Sequence, residues 1–325
     1  MHLSACALVL ILMAVPLTAE AQSPKGIPRV GFLSSTTAEA ARGYLAAFQQ
    51  GLRELGYVEG KNILVEQRYA GAQFERLPAL AAELVHLKVD VLVVGGAPAA
   101  HAAKKVTNAI PIVMTYVADP VGTGLVTSLA RPGGNVTGLS DFTAGVVVKR
   151  LQLLKEVVPA ASRIAALLNP ANPTNPLQIK LIQAAAPILG VTLVTFEAKR
   201  VDEIDRAFAA IAAERPGALI VIGDPLLSGQ RRKIISLAAK SRLPAIYASG
   251  VWADDGGLIG YGTNFENLNR RAAIYVDKIL RGANPADLPV EQPTKFELVV
   301  NVKTAKSLGL TIAHTLLVRA DRLVE

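Results

Sequence analysis

The chain has 325 residues, 51% of them apolar and 5% aromatic, a composition that buries a large core, excludes a disordered or fibrous protein and leaves length for two domains of ordinary size. The formal charge is +8, but Lys and Arg are scattered over what read as solvated helix faces. The densest run is residues 230–233 (QRRK), and this scatter argues against a nucleic-acid partner.

Residues 1–21 read as an export signal. An apolar run over residues 3–17 ends before Ala19-Glu20-Ala21, a small-x-small cleavage pattern, so the mature chain is expected to begin at Gln22. The run is shorter than the roughly 20 residues that cross a bilayer, and His2 stands where Lys or Arg is usual. The single cysteine, Cys6, precedes the apolar run, the wrong order for a lipoprotein cysteine. Cleavage removes it, leaving neither a disulfide nor a thiol nucleophile. It also removes Glu20 and no Lys or Arg, raising the net charge from +8 to +9.

From Arg29 the chain reads RVGFLSS as a strand, a helix ending ELGY, the strand NILVEQRY, a helix around LPALAAELVH, the strand VDVLVVGGAP, another helix, and the strand IPIVMTYV. DPVGTGLVTSLA reads as a further helix, followed by the turn RPGG and a short strand NVTGLS. Here Gly133-Gly134 follows a helix and precedes a strand. That reverses the order in which amides at a helix N-terminus hold phosphate, so the glycines are read as architectural. The segment FTAGVVVKRLQLLKEVVP then carries the chain onward.

From Arg163 the plan repeats: RIAALLNP, a stretch ending ILGV, TLVTFEAK, a helix around IDRAFAAIAAE, GALIVIGDP, a helix, and LPAIYASG. Arg29 and Arg163, and Leu55-Gly56 and Leu189-Gly190, stand 134 residues apart, the mark of two lobes of similar build. Continuous apolar strands bounded by glycine and alternating with helices predict a doubly wound α/β fold made twice, each lobe a parallel sheet covered by helices. Gly56 and Gly190 end helices, and Pro98, Pro120 and Pro225 are expected in first helical turns. GGLIGYGTNF then crosses back, ENLNRRAAIYVDKILRG packs on the first lobe, and ADLPVEQPTKFELVVN crosses a third time. The expected division is 27–139 plus 265–295 for lobe 1 and 140–264 plus 296–325 for lobe 2, joined by a three-stranded hinge.

Ligands of open parallel sheets bind outside the carboxyl ends of the strands, and two lobes facing across a hinge make that edge a cleft. The strand-end candidates are Ser34, Ser35 and Thr36; Gly96, Ala97 and Pro98; Tyr116 and Asp119; Asn169 and Asn175; Asp224; and Ser249 and Trp252. Each has a plainer role open to it. The hydroxyls could cap a helix, Asn172 between prolines could be a turn residue, Asp119 and Asp224 could be N-caps, and Tyr116, Tyr247 and Trp252 could be core. Asn135-Val136-Thr137 is formally a glycosylation sequon. His86, His101 and His314 are isolated in sequence, no metal-ligand spacing or nucleophile elbow occurs, and no cofactor or catalytic constellation is called for.

IPRVGFLSS, GLRELGYVEGKNILVEQRYA, DPVGTGLVTSLARPGGNVTGLS, KRLQLLKEVVP and PTKFELVVNVKTAKSLGLTI together resemble the ABC-transporter substrate-binding proteins of the tryptophan/tyrosine type, which have the type I periplasmic binding-protein fold. The resemblance spans nearly all of the mature chain. It implies a periplasmic receptor, expected to be monomeric, that closes on a small solute and serves a permease with its ATPase subunits. By the same resemblance Ser34, Ser35, Gly96 and Ala97 would meet a carboxylate, Asp119 or Asp224 an ammonium, and Tyr116 and Trp252 an apolar side chain. An α/β enzyme with its site between the lobes, a sensor component and a sugar-responsive repressor share the architecture. The first would need a phosphate loop or carboxylate pair, the second a partner receptor, and the third an N-terminal helix-turn-helix.

Overall fold

A computed structural model describes residues 26–141 and 144–325. The expected export signal and the crossing residues Phe142 and Thr143 lie outside the described residues.

The first lobe is a five-stranded sheet in the order β2-β1-β3-β4-β5, every neighbouring pair parallel. Its strands are β1 (Arg29–Ser34), β2 (Leu64–Tyr69), β3 (Val91–Gly95), β4 (Ile112–Val117) and β5 (Val136–Ser140). Strand periodicity explains the two cores. Val91 and Val93 of β3 enter one cluster with Phe48 and Leu52 of α1 (Ala38–Glu54). Leu92 and Val94 enter the other, with Leu80 and Leu84 of α2 (Leu77–His86) and Ala99 and Ala103 of α3 (Ala97–Val106). A strand clothed by helices on both faces must be apolar at every position, and β3 is buried throughout.

The second lobe is a seven-stranded sheet in the order β12-β11-β10-β9-β8-β6-β7. Its strands are β6 (Arg163–Leu168), β7 (Thr192–Glu197), β8 (Ala218–Val221), β9 (Ala245–Tyr247), β10 (Ile259–Gly262), β11 (Glu297–Asn301) and β12 (Arg322–Val324). Ile164, Ala166 and Leu168 face one core with α4 (Ala144–Val157) and α5 (Asn175–Ala185). Ala165 and Leu167 face the other with α6 (Glu203–Glu214) and α8 (Arg231–Lys240). Between β8 and α8 lies the short α7 (Pro225–Gly229), and α9 (Val251–Asp254) follows β9.

This sheet is not wholly parallel, because β11 runs antiparallel to β10. The chain leaves β10 at the cleft, builds α10 (Phe265–Leu280) on the first lobe and returns. A strand that re-enters from the end by which its neighbour left has to run the opposite way. On its return Glu291 bridges to Leu139 beside β5 before the chain reaches β11. After β11 come α11 (Val302–Ser307), α12 (His314–Arg319) and the edge strand β12. No described helix is long and apolar enough to cross a membrane.

One expected helix is absent. Between β4 and β5 the segment DPVGTGLVTSLA is a series of turns. Asp119 takes φ 41° and its Oδ1 accepts the Gly122 N–H at 2.8 Å, Gly124 takes φ 73°, and Lys104 donates to the Gly124 and Leu125 carbonyls. Two glycines close behind an Asp-Pro pair weaken helix propensity, while Leu125 and Val126 are buried from within the loop. Pro120 therefore opens a turn, whereas Pro98 and Pro225 do stand in first helical turns. The sequon is structural in its contacts, since the Asn135 amide donates to the Thr107 and Ile110 carbonyls and Thr137 is fully buried.

Candidate functional site

The carboxyl ends of both sheets face one another across a cleft that is partly open to solvent, the edge at which open parallel sheets take small molecules. Three groups of residues build it.

The first lobe supplies a wall of rings. Tyr44 from α1, Tyr116 from the end of β4 and Phe265 at the start of α10 line the cleft. Tyr44 and Tyr116 lie 5.4 Å apart between centroids, Tyr116 and Phe265 5.3 Å, and Tyr44 and Phe265 6.2 Å at 88°, tilted and edge-on arrangements that ring quadrupoles favour. Burial pushes the Tyr44 phenol up to about 12 and that of Tyr116 further. Beside the rings, Ser34 Oγ accepts the Thr36 N–H at 3.3 Å and Ser35 Oγ donates to the Gly95 carbonyl at 3.0 Å. These bonds knit the ends of β1 and β3 and present Thr36, whose buried Oγ1 has no hydrogen-bond partner among the described residues.

The second lobe supplies a polar wall around Asp224, the N-cap of α7. Its Oδ1 accepts the N–H groups of Leu226 (2.8 Å) and Leu227 (3.1 Å), Asn172 Nδ2 donates to Oδ2 at 2.9 Å, and Asn169 Nδ2 approaches both oxygens at 3.3 and 3.4 Å. Behind them Asn175 accepts the Asn169 N–H and donates to the Gly223 carbonyl. Burial still outweighs these donors and raises the Asp224 carboxyl to about 6. Thr174, Gln178, Ser228 and Arg231 complete this wall, with Arg231 ion-paired to Asp255.

The third group lies where the lobes join. Asp141, just past β5, and Arg150, on α4, both line the cleft. Arg150 Nε donates to the Tyr261 carbonyl at 2.7 Å and Nη2 to the Ala248 carbonyl at 3.0 Å. The Asp141 carbonyl accepts from the Thr263 hydroxyl at 3.1 Å, tying the first crossing to the second. Burial raises the Asp141 carboxyl to about 6 against the opposing charge of Arg150, and burial lowers Arg150 to about 10.

The lobes touch around this space. A Cβ on Gly96, which takes φ 88°, would come within 3.1 Å of Pro225 in the other lobe, and one on Gly229 within 3.0 Å of Thr36 Oγ1. Beyond the cleft, Ala72 of the first lobe joins the core beneath α6 and α8 of the second.

Residues 32–324 match the profile of a family described as ABC transporter substrate binding protein. The chain belongs to that family. Its members bind solutes and are not enzymes. Among characterised relatives, a tyrosine-binding protein of Clostridioides difficile is 28% identical over 272 residues, 84% of this chain and 77% of that protein. Solved structures also resemble this substrate-binding protein. A Streptococcus pneumoniae ABC domain in complex with L-Trp has a TM-score of 0.86 at 26% identity, over 91% of this chain and 99% of that one. A conserved domain protein of Vibrio cholerae gives 0.87 at 30%, with the same coverage. The ligand-free, open structure of the substrate-binding protein CD0873 from Clostridium difficile gives 0.66 at 26%, over 92% and 99%.

Of the strand-end candidates, Thr36, Gly96, Ala97, Tyr116 and Asp224 line the cleft of this substrate-binding protein. Ser34 and Ser35 stand behind Thr36, and Asn169 and Asn175 behind Asp224. Pro98 is buried in the first turn of α3. Three candidates are elsewhere. Asp119 holds its own turn, Ser249 is buried outside the cleft lining, and Trp252 stacks on Tyr247 at 4.6 Å and 12° inside the second-lobe core. Asp119 is therefore not placed to meet an ammonium in the cleft, nor Trp252 to flank a side chain there. Asn172, set aside as a turn residue, both makes the turn and binds Asp224. Tyr44, Phe265, Gln178, Arg150, Arg231 and Asp141 were not singled out in the sequence. All but Asp141 sit on helices, away from the strand-end loops, whereas Asp141 follows β5 directly and the strand-end rule could have found it.

Proposed function

We propose that this protein is the solute receptor of an ABC importer and closes on an aromatic or large apolar amino acid. The observation that carries this is the cleft's division of labour: three rings on one lobe, amide, hydroxyl and carboxylate groups on the other, and an acid and a base at the junction. A flat apolar side chain suits the first surface and a charged or polar head the others. The tyrosine-binding and L-Trp-bound relatives support the same class of solute. At equal identity, the higher TM-score with the L-Trp complex than with the open, ligand-free structure fits lobes that close around what they bind.

Export with removal of residues 1–21 places the receptor in the periplasm as a monomer, where it hands solute to a permease with its ATPase subunits. Mass spectrometry of protein from its native host should find Gln22 at or near the N-terminus and no lipid. Intact Met1 would contradict export with cleavage.

A thermal-shift screen of amino acids, aromatic acids, sugars and nucleosides tests the solute class. A ligand that binds only the folded state stabilises it by about 2.7 kcal/mol at a hundredfold excess over Kd. Hits among Trp, Tyr and Phe are expected. Hits confined to sugars or nucleosides would overturn the amino-acid reading, and turnover of any hit would overturn the receptor.

A further inference from the structure

We infer that Asp141 and Arg150 form a clamp for the zwitterionic head of the solute, Asp141 receiving the ammonium and Arg150 the carboxylate, at the point where the chain crosses between lobes. The assignment rests on the amino-acid reading above and adds which groups read the head.

Among the described residues two carboxylates, Asp141 and Asp224, line the cleft, and they are not equivalent. A carboxylate has about four lone-pair sites. Those of Asp224 are taken by two backbone N–H groups and two Asn amides, which makes it a helix cap with its acceptor capacity spent. Asp141 is the reverse: its Oδ1 is buried with no hydrogen-bond partner among the described residues. A buried acceptor without a donor is costly, and an ammonium entering the cleft would supply one.

The two cations differ in the same way. Arg231 is already paired with Asp255. Arg150 is 7% exposed, and among the described residues no carboxylate lies within ion-pair distance of it. Its Nε and Nη2 donate to carbonyls, and a guanidinium has five N–H donors in all. Asp141 and Arg150 each feel the other's charge yet form no salt bridge, although both line the same space. An acid and a base that face one cleft without touching leave room for a molecule carrying the opposite charge toward each. Beside the Asp141 carboxyl, the Tyr116 phenol from β4 is kept neutral by burial, and the Thr263 hydroxyl of the second crossing is engaged by the Asp141 backbone carbonyl. Tyr116 is also one of the three rings, so a head held between Asp141 and Arg150 lies beside the surface that would take the aromatic tail.

The position gives the clamp a second consequence. Asp141 is the last described residue after β5 of the first lobe, and α4 begins the second lobe. A head bound to both residues makes contacts on each side of the crossing, so the ionic contacts form together with closure.

The test is a cycle between side chain and ligand, read by calorimetry on the full mature chain. The probes are L-tyrosine, L-tryptophan and L-phenylalanine, each with its decarboxylated amine and its deaminated propionate. Removing one partner of a buried charge pair costs enough that each truncated analogue should bind wild type at least about 30-fold more weakly than its parent amino acid. In Asp141→Asn, nearly isosteric, the penalty for losing the ammonium should collapse below about threefold while the penalty for losing the carboxylate remains. In Arg150→Gln the pattern should invert. Asp119→Asn, outside the cleft lining, should keep both penalties, and an unchanged far-ultraviolet spectrum confirms that each variant is folded. If wild type binds the amino acids but Asp141→Asn keeps its full ammonium penalty, or Asp119→Asn loses it, the clamp is wrong and the receptor reading stands. If wild type binds none of the three, the amino-acid reading fails and the clamp with it.

Discussion

Asp224 shows how a cap and a cleft wall coincide in one side chain. Its carboxyl, raised to about 6 from the usual 3.8, binds a proton in the folded protein between those two values that it does not bind when unfolded. The stability this contributes is fully present below pH 3.8 and is lost as the pH rises through 6. Melting temperatures of wild type and Asp224→Asn across pH 4–8 should therefore diverge, wild type gaining relative to the variant toward the acid end. A pH-independent difference would contradict the raised value. Asp224→Ala should cost about 1–2 kcal/mol as a lost N-cap, measurable by urea unfolding. At this scale the sequence pointed to the cleft where a residue lies within three positions of a strand end, as Thr36, Gly96 and Asp224 do. It was not where a helical residue reaches the cleft only after two lobes dock. Arg150 and Tyr44 belong to amphipathic helices whose cleft-facing positions carry no local mark. Trp252 misled for the opposite reason: it follows β9 closely, but its short helix turns the indole under the sheet onto Tyr247.

The helix pair α1 and α10 carries the dependence of the first lobe on chain that follows the second. At Gly51 of α1 a Cβ would lie 2.2 Å from the Arg270 carbonyl oxygen and 2.9 Å from the Ala273 Cβ of α10, so the helices approach closely enough that only glycine fits. Gly51→Leu should push α10 outward and destabilise by on the order of 1–3 kcal/mol, as overpacking does. An unaltered urea midpoint would show that the contact is not close in solution. The strands were readable as elements because β3 and β8 are uninterrupted apolar runs and because the repeat presents each twice. The segment between β4 and β5 was not, since Leu125, Val126 and Leu129 recur at helical spacing although turns carry them. The antiparallel β11 was equally hidden, because strand direction follows from where the chain re-enters the sheet and not from any residue within it.

At the scale of the whole molecule, the proposed closure would be supported by contacts away from the solute. The loop after β2 extends the site strand, Ala70, Gly71 and Ala72 donating to the carbonyls of Ser34, Thr36 and Ser35. It then carries Ala72 into the second-lobe core, while Phe74 packs against cores of both lobes. Under the proposed closure, contacts that one lobe makes on the other would shift the population toward the closed form and raise apparent affinity without touching ligand. Phe74→Ser should accordingly weaken binding by about three- to tenfold, chiefly through faster dissociation, with the solute preference unchanged; calorimetry and stopped-flow release would check it, and unaltered affinity would show that the loop does not stabilise closure. The most direct measurement is small-angle scattering of the mature protein with and without a saturating amino acid identified by thermal shift. Closure on the solute predicts a smaller radius of gyration with ligand and a profile that then fits the present arrangement of the lobes. An unchanged radius with binding demonstrated would contradict a receptor that closes around what it carries.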